Sequence, residues 1–168
     1  CSIGPFCKIG GEVNNSVFFG YSSKSHDGFI GNSVIGEWCN LGADTNNSNL
    51  KNNYSNVKLW NYEFKSFIDT GLQFCGMVMG DHSKTGINTM INTGSVIGVG
   101  VNLFGPGFTR NFIPSFSWGG GNGFTEHKFN MFKETSIRVM KRRNKCFDEN
   151  QSNLYETVFD MTKRYRNY

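Results

Sequence analysis

Three kinds of side chain in the first third of the chain could do chemistry together: a histidine, several carboxamides and a lysine. They lie in His26-Asp27-Gly28-Phe29-Ile30-Gly31-Asn32-Ser33-Val34-Ile35-Gly36-Glu37, then Asn40-Leu41-Gly42-Ala43-Asp44-Thr45, then Asn49-Leu50-Lys51. A neutral imidazole that titrates near pH 7 is the usual base for removing a proton from an attacking amine. An asparagine amide can orient a substrate or donate to a developing oxyanion. The spacing puts the imidazole of His26 and the loop amide near one another at a corner of the chain path. From the spacing alone a structural, hydrogen-bonded histidine is the default reading and a catalytic one the alternative, and both stay open.

The elements that would position these groups are read from a six-residue period. Met79-Gly80, Thr85-Gly86, Ile91-Asn92, Ile97-Gly98 and Leu103-Phe104 recur at that spacing. Six fits neither an amphipathic helix nor a lone alternating strand. It is the hexapeptide repeat of a parallel β-helix, one short strand and one corner per six residues. The aliphatic residue points into a narrow prismatic core. The glycine after it is expected to supply corner backbone angles that a β-carbon resists. Ile3-Gly4 and Ile9-Gly10 open the first coil, Ile30-Gly31 restarts the register, Ile35-Gly36 slips by one residue and Leu41-Gly42 resumes it.

Between these coils the Asn-rich stretch 44–56 reads as a loop leaving the solenoid. The aromatic stretch 57–68 reads as a strand or hairpin arm that packs on its own solenoid or reaches a neighbour. The domain reading is therefore a β-helix over 1–108 with an inserted loop and arm at 44–70. A Gly-rich connection over 109–125 follows, laid over the end or side of the last coil, and then a helical appendage over 126–168. In that appendage Phe129, Phe132, Ser136, Val139 and Met140 have helical spacing. A second helix starts at Asp148 with Gln151 completing a capping box, and its stripe is Leu154, Tyr155, Val158, Phe159, Thr162 and Tyr165. The pair is expected to cap the solenoid and shield it from edge pairing.

Composition narrows the function. The 168 residues carry a formal charge of +4. Residues 1–125 hold seven basic and seven acidic residues, whereas 126–168 hold ten and six, so the tail supplies the whole excess. Lys141, Arg142, Arg143 and Lys145 sit where a helix ends and would complement its dipole, which explains them without nucleic acid or a membrane. Five scattered cysteines without a CxxC pair indicate free thiols and a reduced, cytoplasmic setting. The chain opens inside a repeat, and an upstream domain is expected.

The ordered motifs resemble the acetyltransferase domain of the bifunctional sugar-1-phosphate nucleotidylyltransferase/amino-sugar-1-phosphate acetyltransferase family, which makes UDP-N-acetylglucosamine. Its archaeal-type branch is the most similar. There the pattern runs H-x-x-Y-[VL]-G-D-S-x-I-G-E-x-x-N-x-G-A-G-T, then A-N-L-[RK], a V-K-V strand and a stretch like G-x-x-R-T-G-I-N. This chain has the three segments above, then Val57-Lys58-Leu59 and Gly80-Asp81-His82-Ser83-Lys84-Thr85-Gly86-Ile87-Asn88. The resemblance covers roughly 3–108.

The resemblance implies a mainly β fold: a left-handed parallel β-helix of hexapeptide repeats, here with a two-helix C-terminal appendage. It implies a homotrimer with sites between subunits, an upstream nucleotidylyltransferase domain, acetyl-CoA as donor and an amino-sugar 1-phosphate as acceptor. His26 falls on the catalytic base and Asn49 on the active-site-loop asparagine. Phe29 and Asn40 fall on substrate contacts, and Lys51 and Lys58 are both candidates for the loop lysine. Ile87 and Gly105 lie near positions whose backbone meets the CoA arm. The chain departs from the pattern at Phe29, which lacks the tyrosine hydroxyl, at Asn14 in place of a phosphate-binding lysine, and at Asn32 and Asp44.

Three other readings remain in view. One is acyl transfer to a different sugar nucleotide or small amine. The solenoid could be a non-catalytic trimerisation and regulatory platform, which Phe29, Asn14 and Asp44 favour. A metal-dependent hydratase would need three histidine ligands. His26, His82 and His127 are the only histidines, and no metal is expected. His82 is read as a surface or interface residue.

Overall fold

A computed structural model describes residues 1–168. The six-residue period winds the chain into a three-faced parallel solenoid. The first face holds six parallel strands, Ser2–Ile3, Val17–Phe18, Val34–Ile35, Met77–Met79, Ser95–Ile97 and Phe112–Ile113. The second stacks Lys8–Ile9, Ser23–Lys24, the Asn40 bridge, Lys84–Thr85, Asn102–Leu103 and Ser117–Gly120. The third carries Glu12–Asn14, Phe29–Gly31, Asn46–Asn47 and Met90–Ile91.

Inward residues stack into one core. Phe18, Ile35, Met79, Ile97 and Ile113 come from the first face, Leu41 and Leu103 from the second, Ile30 and Ile91 from the third. Lys24 occupies an inward place between Ile9 and Leu41 and is fully buried. Its ammonium reaches the edge of the prism, donating to the carbonyls of Gly10 (3.1 Å) and His26 (2.6 Å). Burial lowers its pKa, and the nearby charges of Asp27 and Asp44 oppose that shift.

The glycines after the aliphatic residues do not supply the corner angle. At Gly4 and Gly80 a β-carbon would lie 2.8 Å from the backbone of the next coil, so close stacking of coils excludes a side chain. The left-handed corner residue comes two positions later: Phe6, Trp38, Asp44, His82 and Asn88, all with φ between 56° and 59°.

Where the first face turns into the second, this position builds a ladder of rings. Tyr21 stacks on Phe6 (5.0 Å) and on Trp38 (4.1 Å, 7°), and Trp38 stacks on His82 (6.1 Å, 14°).

The excursion starts and ends later than the loop and arm expected over 44–70. Asn46–Asn47 remains in the third face, with Asn47 buried and its amide paired to both backbone groups of Gly31. The departure and return are tied by the Cys75 N–H to the Asn49 carbonyl (2.9 Å). Within it, Lys58–Asn61 and Ser66–Asp69 form the antiparallel arm. Trp60 stacks on Phe112 (4.3 Å) and meets Tyr165, so the arm packs on its own chain.

The solenoid also runs past residue 108. Phe112–Ile113 and Ser117–Gly120 make further parallel strands, and Gly123–Glu126 closes the second face antiparallel. The Gly-rich connection is therefore mostly solenoid.

Helices α1 (Phe129–Lys141) and α2 (Glu149–Thr162) follow. The Asp148–Gln151 capping box is present. Leu154 is exposed, so the buried stripe of α2 centres on Tyr155 instead. The helices lie against the flank of the solenoid rather than across its end. Phe132, Met140, Phe147 and Tyr155 form a second core with Trp38 and Phe116. Arg166 fastens the C-terminus, paired with Glu126 (2.9 Å) and donating to the carbonyls of Ser115 and Phe159. No helix is long and apolar enough to cross a membrane.

Candidate functional site

The edge joining the second face to the third collects three of the expected residues. His26 precedes Phe29–Gly31 at this edge. The next coils follow through Asp44, whose N–H donates to the Asp27 carbonyl (2.9 Å), and Asn88, whose N–H donates to Ala43 (2.8 Å). Ile87, 73 % exposed, and Gly105, open to solvent at φ +98°, continue the strip. His26 is exposed, and only its backbone carbonyl is engaged, by Lys24.

His26 and Asn40 share a cavity of about 430 Å³ between the second face and the C-terminal end of α1. It is also lined by Lys8, Lys84, Arg142 and Arg143, with Tyr21 and Trp38 as an aromatic wall. Cys39 lines it too, but burial pushes its thiol up to about 12, which rules out a thiolate nucleophile near neutrality.

The other expected residues stand elsewhere. Asn49 lies beyond the third-face strand, its amide donating to Asn32 Oδ1 (2.7 Å), in a cleft with Asn14 and Asn15. His26 and Asn49 therefore occupy opposite ends of the third face and do not share a corner within one chain. Phe29 lies between them, its N–H bound by Asn46 Oδ1 (2.7 Å). Lys51 and Lys58 line a separate cleft with Phe67, Arg110 and Phe112, and Lys51 Nζ donates to the Asn56 carbonyl (2.6 Å).

His82 is not a surface residue. It is 1 % exposed, under Phe132, Phe147 and Tyr155, and neither ring nitrogen has a hydrogen-bond partner. Burial, with a smaller push from Lys84, lowers its pKa to about 3. His127 is buried against the Gly100 carbonyl (2.8 Å). No group of three metal-binding side chains occurs.

The sequence reading missed Lys8 and Lys84 as site residues and assigned Arg142 and Arg143 only to a helix end. A signal exists for the lysines. Lys8, Ser23, Asn40 and Lys84 each precede an inward residue and stack in one row. The arginines reach that row only by tertiary folding.

No family model matches the chain. It is 38% identical over 106 residues to the bifunctional sugar-1-phosphate nucleotidylyltransferase/acetyltransferase of Sulfurisphaera tokodaii. It is 33% identical over 87 residues to the bifunctional protein GlmU of Methanocaldococcus jannaschii. These stretches cover 62% and 52% of this chain but only 26% and 21% of those proteins. The chain thus spans about a quarter of the length of the curated relatives it matches. Among solved structures, AntD, an N-acyltransferase from Bacillus cereus crystallised with dTDP-4-amino-4,6-dideoxyglucose and coenzyme A, aligns over 82% of this chain and 93% of its own. The TM-score is 0.37 and the identity 12%.

Proposed function

From its kinship with the bifunctional sugar-1-phosphate nucleotidylyltransferase/acetyltransferases, we propose that the chain is the acetyl-transferring part of such an enzyme. It moves an acetyl group from acetyl-CoA to the amine of an amino-sugar 1-phosphate. The observation that carries this reading is His26: an exposed imidazole at a solenoid edge, opening into a cavity with Asn40, in a chain related to an acetyltransferase.

Neutral His26 accepts a proton from the sugar amine as the nitrogen attacks the thioester carbonyl. The tetrahedral oxyanion collapses, the C–S bond breaks, and the CoA thiolate leaves and takes up a proton. Donors aimed at the oxyanion would lower this barrier. Asn49 is the donor of choice, and a homotrimer would bring a neighbour's Asn49 to the His26 edge. The open strip past Ile87 and Gly105 supports a path for the CoA arm along that edge.

One observation favours the platform reading. The Asn49 amide is already committed to Asn32, so a chain whose neighbours never release it would assemble without catalysing. Mass spectrometry of glucosamine 1-phosphate and galactosamine 1-phosphate, each incubated with acetyl-CoA and the folded chain, separates the two. Gain of one acetyl group by either sugar supports transfer. No gain by either supports the platform or a different acceptor.

A further inference from the structure

The solenoid alone does not complete the His26 cavity. Its outer wall is the C-terminal end of α1, which sets Arg142 and Arg143 opposite Lys8 and Lys84 of the second face. Four permanent or near-permanent cations therefore border a space of about 430 Å³, and no Asp or Glu lines it. The whole chain holds two ion pairs, Arg138–Glu134 and Arg166–Glu126, so none of the four is neutralised by a carboxylate.

This arrangement is unfavourable by itself. Like charges around one cavity repel, and a half-buried ammonium has lost water. Lys84 shows the second effect. It is half-buried, its one hydrogen bond is to the carbonyl of His82 (2.9 Å), and burial lowers its pKa. The tail that carries the chain's whole excess charge delivers two of its cations here, where the dipole of α1 explains their sign but not the place they meet.

We propose that this cavity is a phosphate-binding site built jointly by the solenoid and the helical appendage. A phosphate dianion would relieve the repulsion. Guanidinium forks fit phosphate oxygens two at a time, and lysines add point charges. Neutral donors stand beside them: Asn40, and the Ser23 and Ser25 hydroxyls, which bond each other at 2.8 Å. The Tyr21–Trp38 stack limits the cavity on one side, and Lys145 lies over Tyr21 (5.9 Å).

The ligand is thus a phosphate ester whose remaining part extends toward His26. Two sources share that chemistry, the acceptor's 1-phosphate and the 3′-phosphate end of CoA. That the phosphate is carried on an ester reaching His26, and the choice between these two sources, rest on the acetyl-transfer reading; the phosphate site itself does not.

Isothermal titration of the full chain with inorganic phosphate, glucosamine 1-phosphate and adenosine 3′,5′-bisphosphate tests this. Wild type binds phosphate, and the organic ester that binds more tightly identifies the source. Arg142→Ala/Arg143→Ala lies beyond the last residue of α1, and Lys8→Ala is an exposed change on the solenoid side. Each weakens binding about tenfold or more, the worth of one lost charge-assisted contact. Absence of phosphate binding by folded wild type, or unchanged affinity in either variant, overturns the site. Because heat is measured rather than turnover, failure here is distinct from failure of acetyl transfer.

Discussion

The imidazole of His82 stacks on the indole of Trp38 with ring centroids 6.1 Å apart and 14° between planes, and neither nitrogen has a hydrogen-bond partner. A neutral ring is thereby used as an aromatic one. Phe116 holds the same left-handed corner position at φ 57°, so phenylalanine is a conservative replacement for His82.

His82 should make the protein acid-sensitive. Its folded pKa, about 3, lies below the ordinary value of 6.5. Above pH 6.5 both folded and unfolded states hold it neutral, and stability is full. Below that, the unfolded state takes a proton that the folded state refuses. Stability then falls by up to about 1.4 kcal/mol per pH unit until the folded ring protonates too. Urea unfolding at pH 7 and pH 4.5 should show wild type losing roughly 2 kcal/mol more than His82→Phe. Equal losses would remove His82 as the cause.

Lys24 is expected to position His26 rather than hold the fold. Its ammonium grips the His26 carbonyl at 2.6 Å from an inward place where methionine would fit. In Lys24→Met the freed carbonyls of Gly10 and His26 can turn to water, so the melting temperature should change little. A misplaced catalytic group is costly, so kcat should fall about tenfold with KM largely kept. Unchanged kcat would show that the edge is held by other means.

Gly80 tests the account of coil spacing. A β-carbon there would lie 2.8 Å from Gly98 and Val99 backbone atoms. Gly80→Ala should cost about 1–3 kcal/mol through overpacking, read as a lower denaturant midpoint. A stability equal to wild type would show that coil stacking leaves room for a side chain at this position.

Much of the architecture is legible in the sequence because its signals are local. The spacing of Met79, Thr85, Ile91, Ile97 and Leu103 is enough for the coils, Asp148 with Gln151 for the start of α2, and alternation around Trp60 for the arm. Other features depend on contacts that sequence does not carry. Phe6, Tyr21 and Trp38 are not turn formers by propensity, so their corner role appears only when the coils stack. Asn47 does not read as a core residue until Gly31 is seen to satisfy its amide. Phe112-Ile113 lacks the following glycine, which hid the last coil.

The placement of the candidate residues was legible in parts for the same reason. His26, Ile87 and Gly105 follow from motif order and do share one edge. Asn49 was expected beside His26 and stands across the third face from it. The burial of His82 and the arrival of Arg142 and Arg143 beside His26 both depend on where two helices dock.

The most direct measurement is release of free CoA thiol from acetyl-CoA in the presence of an amino-sugar 1-phosphate, for wild type and His26→Ala. The account predicts release that requires the sugar and falls by roughly 10²–10⁴ in the variant, the usual contribution of a general base, with acetyl-CoA binding retained. Equal rates in the two proteins would contradict His26 as the base.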